Sequence, residues 1–147
     1  MTYDKGALSG YDFLIVEDEA LQAQHISHML HSMGGTVSDI AATYEQARNA
    51  VDRVRFDCAI LDVNLGGTLS LHLAELLRMR DKPFVICTGY GDEVEILPGG
   101  AGMPRLGKPV EQGELRQAVL QALLPSRDVA TGKYGAPPCP KTTALLD

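Results

Sequence analysis

No stretch of the 147 residues approaches the ~18 consecutive apolar residues that a membrane-spanning helix needs. The opening MTYDKGALSGYD also lacks the charged-then-apolar layout of a secretion signal. A long basic run is missing too. Lys and Arg number 13 against 19 Asp and Glu, a formal net charge of −6, which argues against a partner held by its phosphate backbone. Cysteine is scarce: Cys58, Cys87 and Cys139 make an odd count of three without metal-ligand spacing. Two of them sit in apolar, strand-like runs, so buried reduced thiols in a cytoplasmic protein are expected. What is present is globular. The 45% hydrophobic content and the length suit one domain with a real core.

Strand-like and helix-like patterns alternate from residue 12 to about residue 124. Phe13-Leu14-Ile15-Val16 is a short continuous apolar run, as in a strand buried on both faces. Leu21, Ile26, Met29, Leu30 and Met33 then predict one side of a helix that stops at Gly34-Gly35. Thr36 to Ala41 reads as a weaker strand near an edge, because it carries Ser38 and Asp39. Thr43 and Gln46 are spaced as a capping box before a helix marked by Ala47, Ala50, Val51 and Val54. Cys58 to Leu61 is the third strand, and Leu69, Leu73, Leu76 and Leu77 mark the helix after it. Phe84 to Cys87 is the fourth strand. Between Tyr90 and Pro104, Pro98 with Gly99, Gly100 and Gly102 leave room for at most a turn or so of helix. A short fifth strand around Arg105-Leu106 precedes a helix with Leu115, Ala118, Val119, Ala122 and Leu123 on one stripe, ended by Pro125.

This rhythm predicts an α/β fold: a doubly wound, five-stranded parallel sheet of flavodoxin-like order 2-1-3-4-5, with a reduced or missing fourth helix. Its ligand crevice lies at the carboxyl ends of strands 1 and 3. Residues 1–10 are expected to be an N-terminal extension and 11–124 the domain. Residues 125–147, rich in Pro, Gly, Ser and Thr, are expected to form a flexible tail.

That architecture turns scattered acids into one site. Glu17-Asp18 directly follows strand 1, and Asp62 ends strand 3 in "CAILDVNLGG". Three carboxylates so close repel and raise one another's pKa unless a cation neutralises them. An all-oxygen cluster open to water suits Mg²⁺. An acid after a strand is, taken singly, more often a cap for the next helix. Thr88 and Lys108 shift the balance, because they end strands 4 and 5 on the same rim. A nucleophilic carboxylate, a hydroxyl, an ammonium and a metal together form a kit for phosphoryl transfer.

The set Glu17-Asp18, Asp62 in LDVNL, Thr88 and Lys108-Pro109 resembles the receiver domain of bacterial two-component response regulators over about residues 11 to 124. The resemblance implies that Asp62 accepts phosphate from a histidine kinase or phosphotransfer protein. It further implies that Asp18, Asp62 and the backbone carbonyl of Asn64 hold Mg²⁺ while Glu17 assists through water, and that the Lys108–Pro109 bond is cis. Glu17 stands where the family usually has Asp. Arg105, three residues before Lys108, stands where many receivers carry an aromatic that swings inward on phosphorylation, so that switch cannot operate as usually described. The threonine motif ICTGYG and the eroded fourth helix look like a subgroup with a Phe-Ala-Thr-Gly-like motif, often linked to HWE-type histidine kinases. Tyr90 and Arg105 are the switch candidates.

The expected protein is a single-domain response regulator that accepts and loses a phosphoryl group but is not otherwise an enzyme. Its expected partners are a histidine kinase or phosphotransfer protein, a downstream protein of unstated identity and, as an option, a weak homodimer, with no nucleic acid and no membrane. The rivals are a non-phosphorylated pseudo-receiver and a small haloacid-dehalogenase-like hydrolase. The latter wants a second acid two residues after its nucleophile, where this chain has Asn64. His25, His28 and His31 drift around their helix by about 60° per step, so a solvated face is expected rather than a metal site. ATGKYG lacks the ends of a phosphate loop.

Overall fold

Phe13-Leu14-Ile15-Val16 has no polar side chain to offer water, and in the computed structural model it occupies the middle of a parallel sheet. The structure describes residues 6–62, 64–65, 68–69, 71–89 and 104–123. In chain order the elements are β1 (Asp12–Val16), α1 (Ala20–Ser32), β2 (Thr36–Ala41), α2 (Tyr44–Arg53), β3 (Cys58–Asp62), β4 (Asn64–Leu65), β5 (Thr68–Leu69), α3 (Leu71–Met79), β6 (Phe84–Thr88), β7 (Arg105–Gly107) and α4 (Gln112–Leu123). The main sheet runs β2-β1-β3-β6-β7, all parallel, which is the expected order 2-1-3-4-5. β4 and β5 form a separate antiparallel ribbon. The expected reduced fourth helix falls on residues 90–103, outside the described residues.

Alternation along the strands splits the core in two. Phe13, Ile15, Ile60, Val85 and Cys87 pack with Ile26 and Leu30 of α1 and with Leu115 and Val119 of α4. Leu14, Val16, Leu61, Phe84 and Ile86 pack on the other face with Val51 of α2 and Leu73 and Leu77 of α3. β2 is the edge strand its polar residues suggested, mostly exposed and, among the described residues, paired with β1 alone.

Two local expectations need correction. Leu21 does not join the buried side of α1, for it is 80% exposed. The buried set is Ala23, Ile26, Met29 and Leu30, and Leu21, five residues before Ile26, lies about 140° around the helix from it. Leu69 does not belong to the third helix. It pairs with Asn64 in the β4–β5 ribbon, and the helix begins at Leu71.

The ends of α1 and α2 follow backbone chemistry. Gly34 has φ +94, a left-handed conformation that favours glycine, and a Cβ there would lie 2.7 Å from Ser9 Oγ. At α2 the Gln46 N–H donates to Thr43 Oγ1 at 3.1 Å, as a capping box requires. The returning bond goes one residue further out: Ala42 N–H donates to Gln46 Oε1 at 2.8 Å. Ahead of β1, Leu8 is fully buried in the first core, and its N–H donates to the Met33 carbonyl at 2.8 Å. The Lys108–Pro109 bond is cis.

Candidate functional site

Register decides which side chains meet at the rim. Val16 pairs with Leu61, so Glu17 and Asp62 follow at the same level on adjacent strands, and both take the sheet face opposite to Val16 and Leu61. Asp62 in turn pairs with Cys87, and Cys87 is level with Leu106. Lys108, two residues beyond Leu106, shares their face, with its N–H donating to the Thr88 carbonyl at 2.9 Å. The apolar strands therefore deliver Glu17, Asp62 and Lys108 to one side of one edge.

The geometry is tight. Lys108 Nζ lies 3.1 Å from Asp62 Oδ1 and 3.5 Å from Glu17 Oε1. Glu17 and Asp62 are the buried polar or charged residues of the described chain, at 2% and 3% exposure, whereas Asp18 is exposed. Carboxylate oxygens of Glu17, Asp18 and Asp62 lie within 4.8 Å of one another, and no other potential metal-binding group of three arises among the described residues. The Glu19 N–H donates to Glu17 Oε2 at 3.2 Å, an interaction the sequence did not announce.

Burial and charge crowding shift the proton affinities of the cluster. Burial, then the Asp62 carboxylate, push Glu17 up to about 7, while the Glu19 N–H and Lys108 pull the other way. For Lys108, burial alone would lower the pKa. The hydrogen bond and attraction of Asp62, helped by Glu17, outweigh it and hold the ammonium above its ordinary value. The cluster carries three acids against one cation, and Glu17 Oε1 is buried without a hydrogen-bond partner. A buried carboxylate oxygen with no hydrogen bond, held only by an ion pair at 3.5 Å inside an acid-rich set, fits a hard divalent cation such as Mg²⁺.

Thr88 ends β6 half-buried, level with Gly107 of β7. Asn64 opens β4, two residues after Asp62. Arg105 is exposed at the start of β7, level with Ile86, and does not join the acidic cluster. Tyr90 lies outside the described residues. His25, His28 and His31 are exposed along α1, in keeping with a solvated face. Cys58 and Cys87 are buried free thiols. Burial pushes Cys58 well up and Cys87 up to about 12, the latter beside Lys108, Asp62 and Glu17. Asp57 serves the opposite end of the sheet, where its Oδ2 accepts from the Asp12 N–H at 2.7 Å.

The family model described as the response regulator receiver domain matches residues 13–120. The two-component response regulator PhoP of Pseudomonas aeruginosa is 38% identical over 116 residues, which are 76% of this chain and 50% of that protein. The chain spans about half the length of the curated relatives it matches. The solution structure of SdrG from Sphingomonas melonis Fr1 superposes with a TM-score of 0.67 at 34% identity, covering 80% of this chain and 98% of that one. The receiver domain of the Pseudomonas aeruginosa sensor histidine kinase PA1611, solved with a magnesium ion in its active-site cleft, superposes with a TM-score of 0.64 at 28% identity, covering 77% and 96%.

Proposed function

The chain belongs to the response regulator receiver family, and from that premise we propose that Asp62 is its phosphoacceptor. The observation that carries this reading is the contact of Lys108 Nζ with Asp62 Oδ1 at 3.1 Å, beside a buried Glu17 and an exposed Asp18. In the proposed reaction an Asp62 oxygen attacks the phosphorus of a phosphohistidine. The P–N bond breaks as the P–O bond forms, and the imidazole departs with its proton. Lys108 neutralises a phosphoryl oxygen, and Thr88, at the end of the neighbouring strand, offers a hydroxyl hydrogen bond.

Glu17, Asp18 and Asp62, with the Asn64 carbonyl, are the residues that would hold Mg²⁺. When bound, the ion supplies charge neutralisation and orientation of the phosphoryl oxygens. Receivers act with histidine kinases. A kinase of the HWE type is our reading for this chain, supported by ICTGYG and by the similarity to SdrG. Output passes through contacts with a downstream protein, or the domain drains phosphate from its kinase. Tyr90 is proposed to gate the phosphorylation site. The functional unit is proposed to be residues 11–124, preceded by 1–10 and followed by 125–147, and to work in the cytoplasm. Among the described residues, no helix is long and apolar enough to cross a membrane.

The test is incubation with Mg²⁺ and acetyl phosphate, read by intact mass. One added phosphoryl group, lost in Asp62→Asn and on chelation of the metal, supports the proposal. No gain in mass in the wild-type chain favours the alternative, a binding adaptor that is never phosphorylated.

A further inference from the structure

A phosphoryl group adds negative charge to a rim that already holds three carboxylates, and Lys108 is committed to two of them. A further cation within reach therefore changes the energy of the loaded state. The Arg105 side chain is exposed and makes no hydrogen bond or ion pair with the described residues. Its register is specific. Arg105 pairs with Ile86 and Gly107 with Thr88, so Arg105, Gly107 and Thr88 share one sheet face while Leu106 points into the core on the other.

Along that face the next position toward the rim is Gly107, which places no side chain between Arg105 and Thr88. A Cβ built on Gly107 would meet no atom of the described residues within 4 Å. Asp62 is level with Leu106, so it lies two strands, about 9.6 Å, across the sheet from Arg105 and one residue, about 3.3 Å, further along, a separation that an extended arginine and a phosphorylated aspartate cover between them. β7 ends at Gly107, so a side chain leaning past it, along this lane, runs toward the end of the sheet.

We propose that Arg105 is a second phosphoryl-facing cation, which lies along the Gly107 lane and binds the phosphorylated Asp62 from the Thr88 side. This rests on the reading of Asp62 as phosphoacceptor. A planar guanidinium suits the task, since it grips phosphoryl oxygens through paired N–H donors. The bare cluster gives it little to grip on this side, because Glu17 and Asp62 take the opposite face. Arg105 thus distinguishes loaded from unloaded chain.

The experiment titrates the full chain, with saturating Mg²⁺, against beryllium trifluoride as a phosphoryl mimic, followed by NMR. Arg105→Ala is expected to weaken binding by about three- to tenfold, the range of one charge-assisted contact at an open rim. Gly107→Val, which has room for its side chain but fills the lane, is expected to weaken it similarly. Arg105→Lys is expected to recover most of the loss. In the wild-type chain the Arg105 Nε–H resonance should shift on loading. Wild-type loading that is undiminished in Arg105→Ala and Gly107→Val, or an unmoved Nε–H resonance, overturns the role of Arg105 alone. Failure of the wild-type chain to load at all overturns the phosphoacceptor reading along with it.

Discussion

Lys108 Nζ sits 3.1 Å from Asp62 Oδ1 although their strands are not neighbours, because β6 lies between β3 and β7. The lysine reaches back across Cys87, whose small side chain occupies the level of Asp62 on β6. The ammonium thereby partly neutralises the acidic cluster in the bare chain.

Removing that ammonium should separate two effects. Lys108→Ala leaves three acids with no internal cation, so Mg²⁺ affinity is expected to rise about three- to tenfold, because an ammonium no longer competes for the same oxygens. Phosphorylation by acetyl phosphate is expected to fall at least about tenfold, since charge stabilisation of the phosphoryl oxygens is lost. Calorimetric titration with Mg²⁺ and timed intact-mass spectra check the two halves. Loss of Mg²⁺ affinity in the variant would contradict the competition.

Glu17 makes the metal-free protein pH-sensitive in a direction opposite to ordinary salt-bridged acids. Its folded value of about 7 lies above its ordinary 4.5. Below 4.5 both folded and unfolded chains hold the proton. Between 4.5 and 7 the folded chain holds a proton that the unfolded chain has released, so stability falls as pH rises through this window. The loss is expected to be about 1–3 kcal/mol, at about 1.4 kcal/mol for each pH unit between the two values. Glu17→Gln should flatten this part of the profile in urea unfolding without metal. Added Mg²⁺ should stabilise the wild-type chain more at pH 8 than at pH 5, because only the ionised carboxylate attracts it.

Leu8 is expected to behave as a core residue despite its place ahead of the first strand. It is fully buried and anchored through its N–H to the Met33 carbonyl. Leu8→Ala should cost about 2–4 kcal/mol in urea unfolding, the range for a large aliphatic side chain lost from a packed core. A loss below about 0.5 kcal/mol would mean that residues 6–10 merely lie on the surface.

Much of this arrangement was legible in the sequence because strand burial writes itself as continuous apolar runs. Phe13–Val16, Cys58–Leu61 and Phe84–Cys87 marked the three central strands, and the residues that end them then fell on one rim by topology alone. Where pattern had to choose a face, it was weaker. Leu21 is as apolar as Ile26, and only its angle around α1 shows that it faces water. Leu69 fits a helical spacing with Leu73, yet cross-strand pairing with Asn64 claims it. Leu8 stood alone ahead of β1, and a single apolar residue has no period to reveal that it is buried. The face shared by Arg105, Gly107 and Thr88 depends on register between β6 and β7, which a one-dimensional pattern does not specify.

The two strand cysteines give a last prediction, one that separates proximity from reactivity. Cys87 lies level with Asp62 at the rim, and a thiol beside a lysine is often activated. Here burial dominates: Cys87 is 1% exposed, with its thiol pushed up to about 12 by desolvation, and neighbouring carboxylates offset the help from Lys108. Cys58 is fully buried and shifted in the same direction. Neither should form an appreciable thiolate near neutral pH. Iodoacetamide at pH 8 is expected to leave both unmodified in the folded protein and to label both in urea, as judged by peptide mass mapping. Fast labelling of Cys87 in the native chain would show that water and reagent reach beneath the Asp62 carboxylate. The burial that raises Glu17 would then be relieved as well, so the two measurements must stand or fall together.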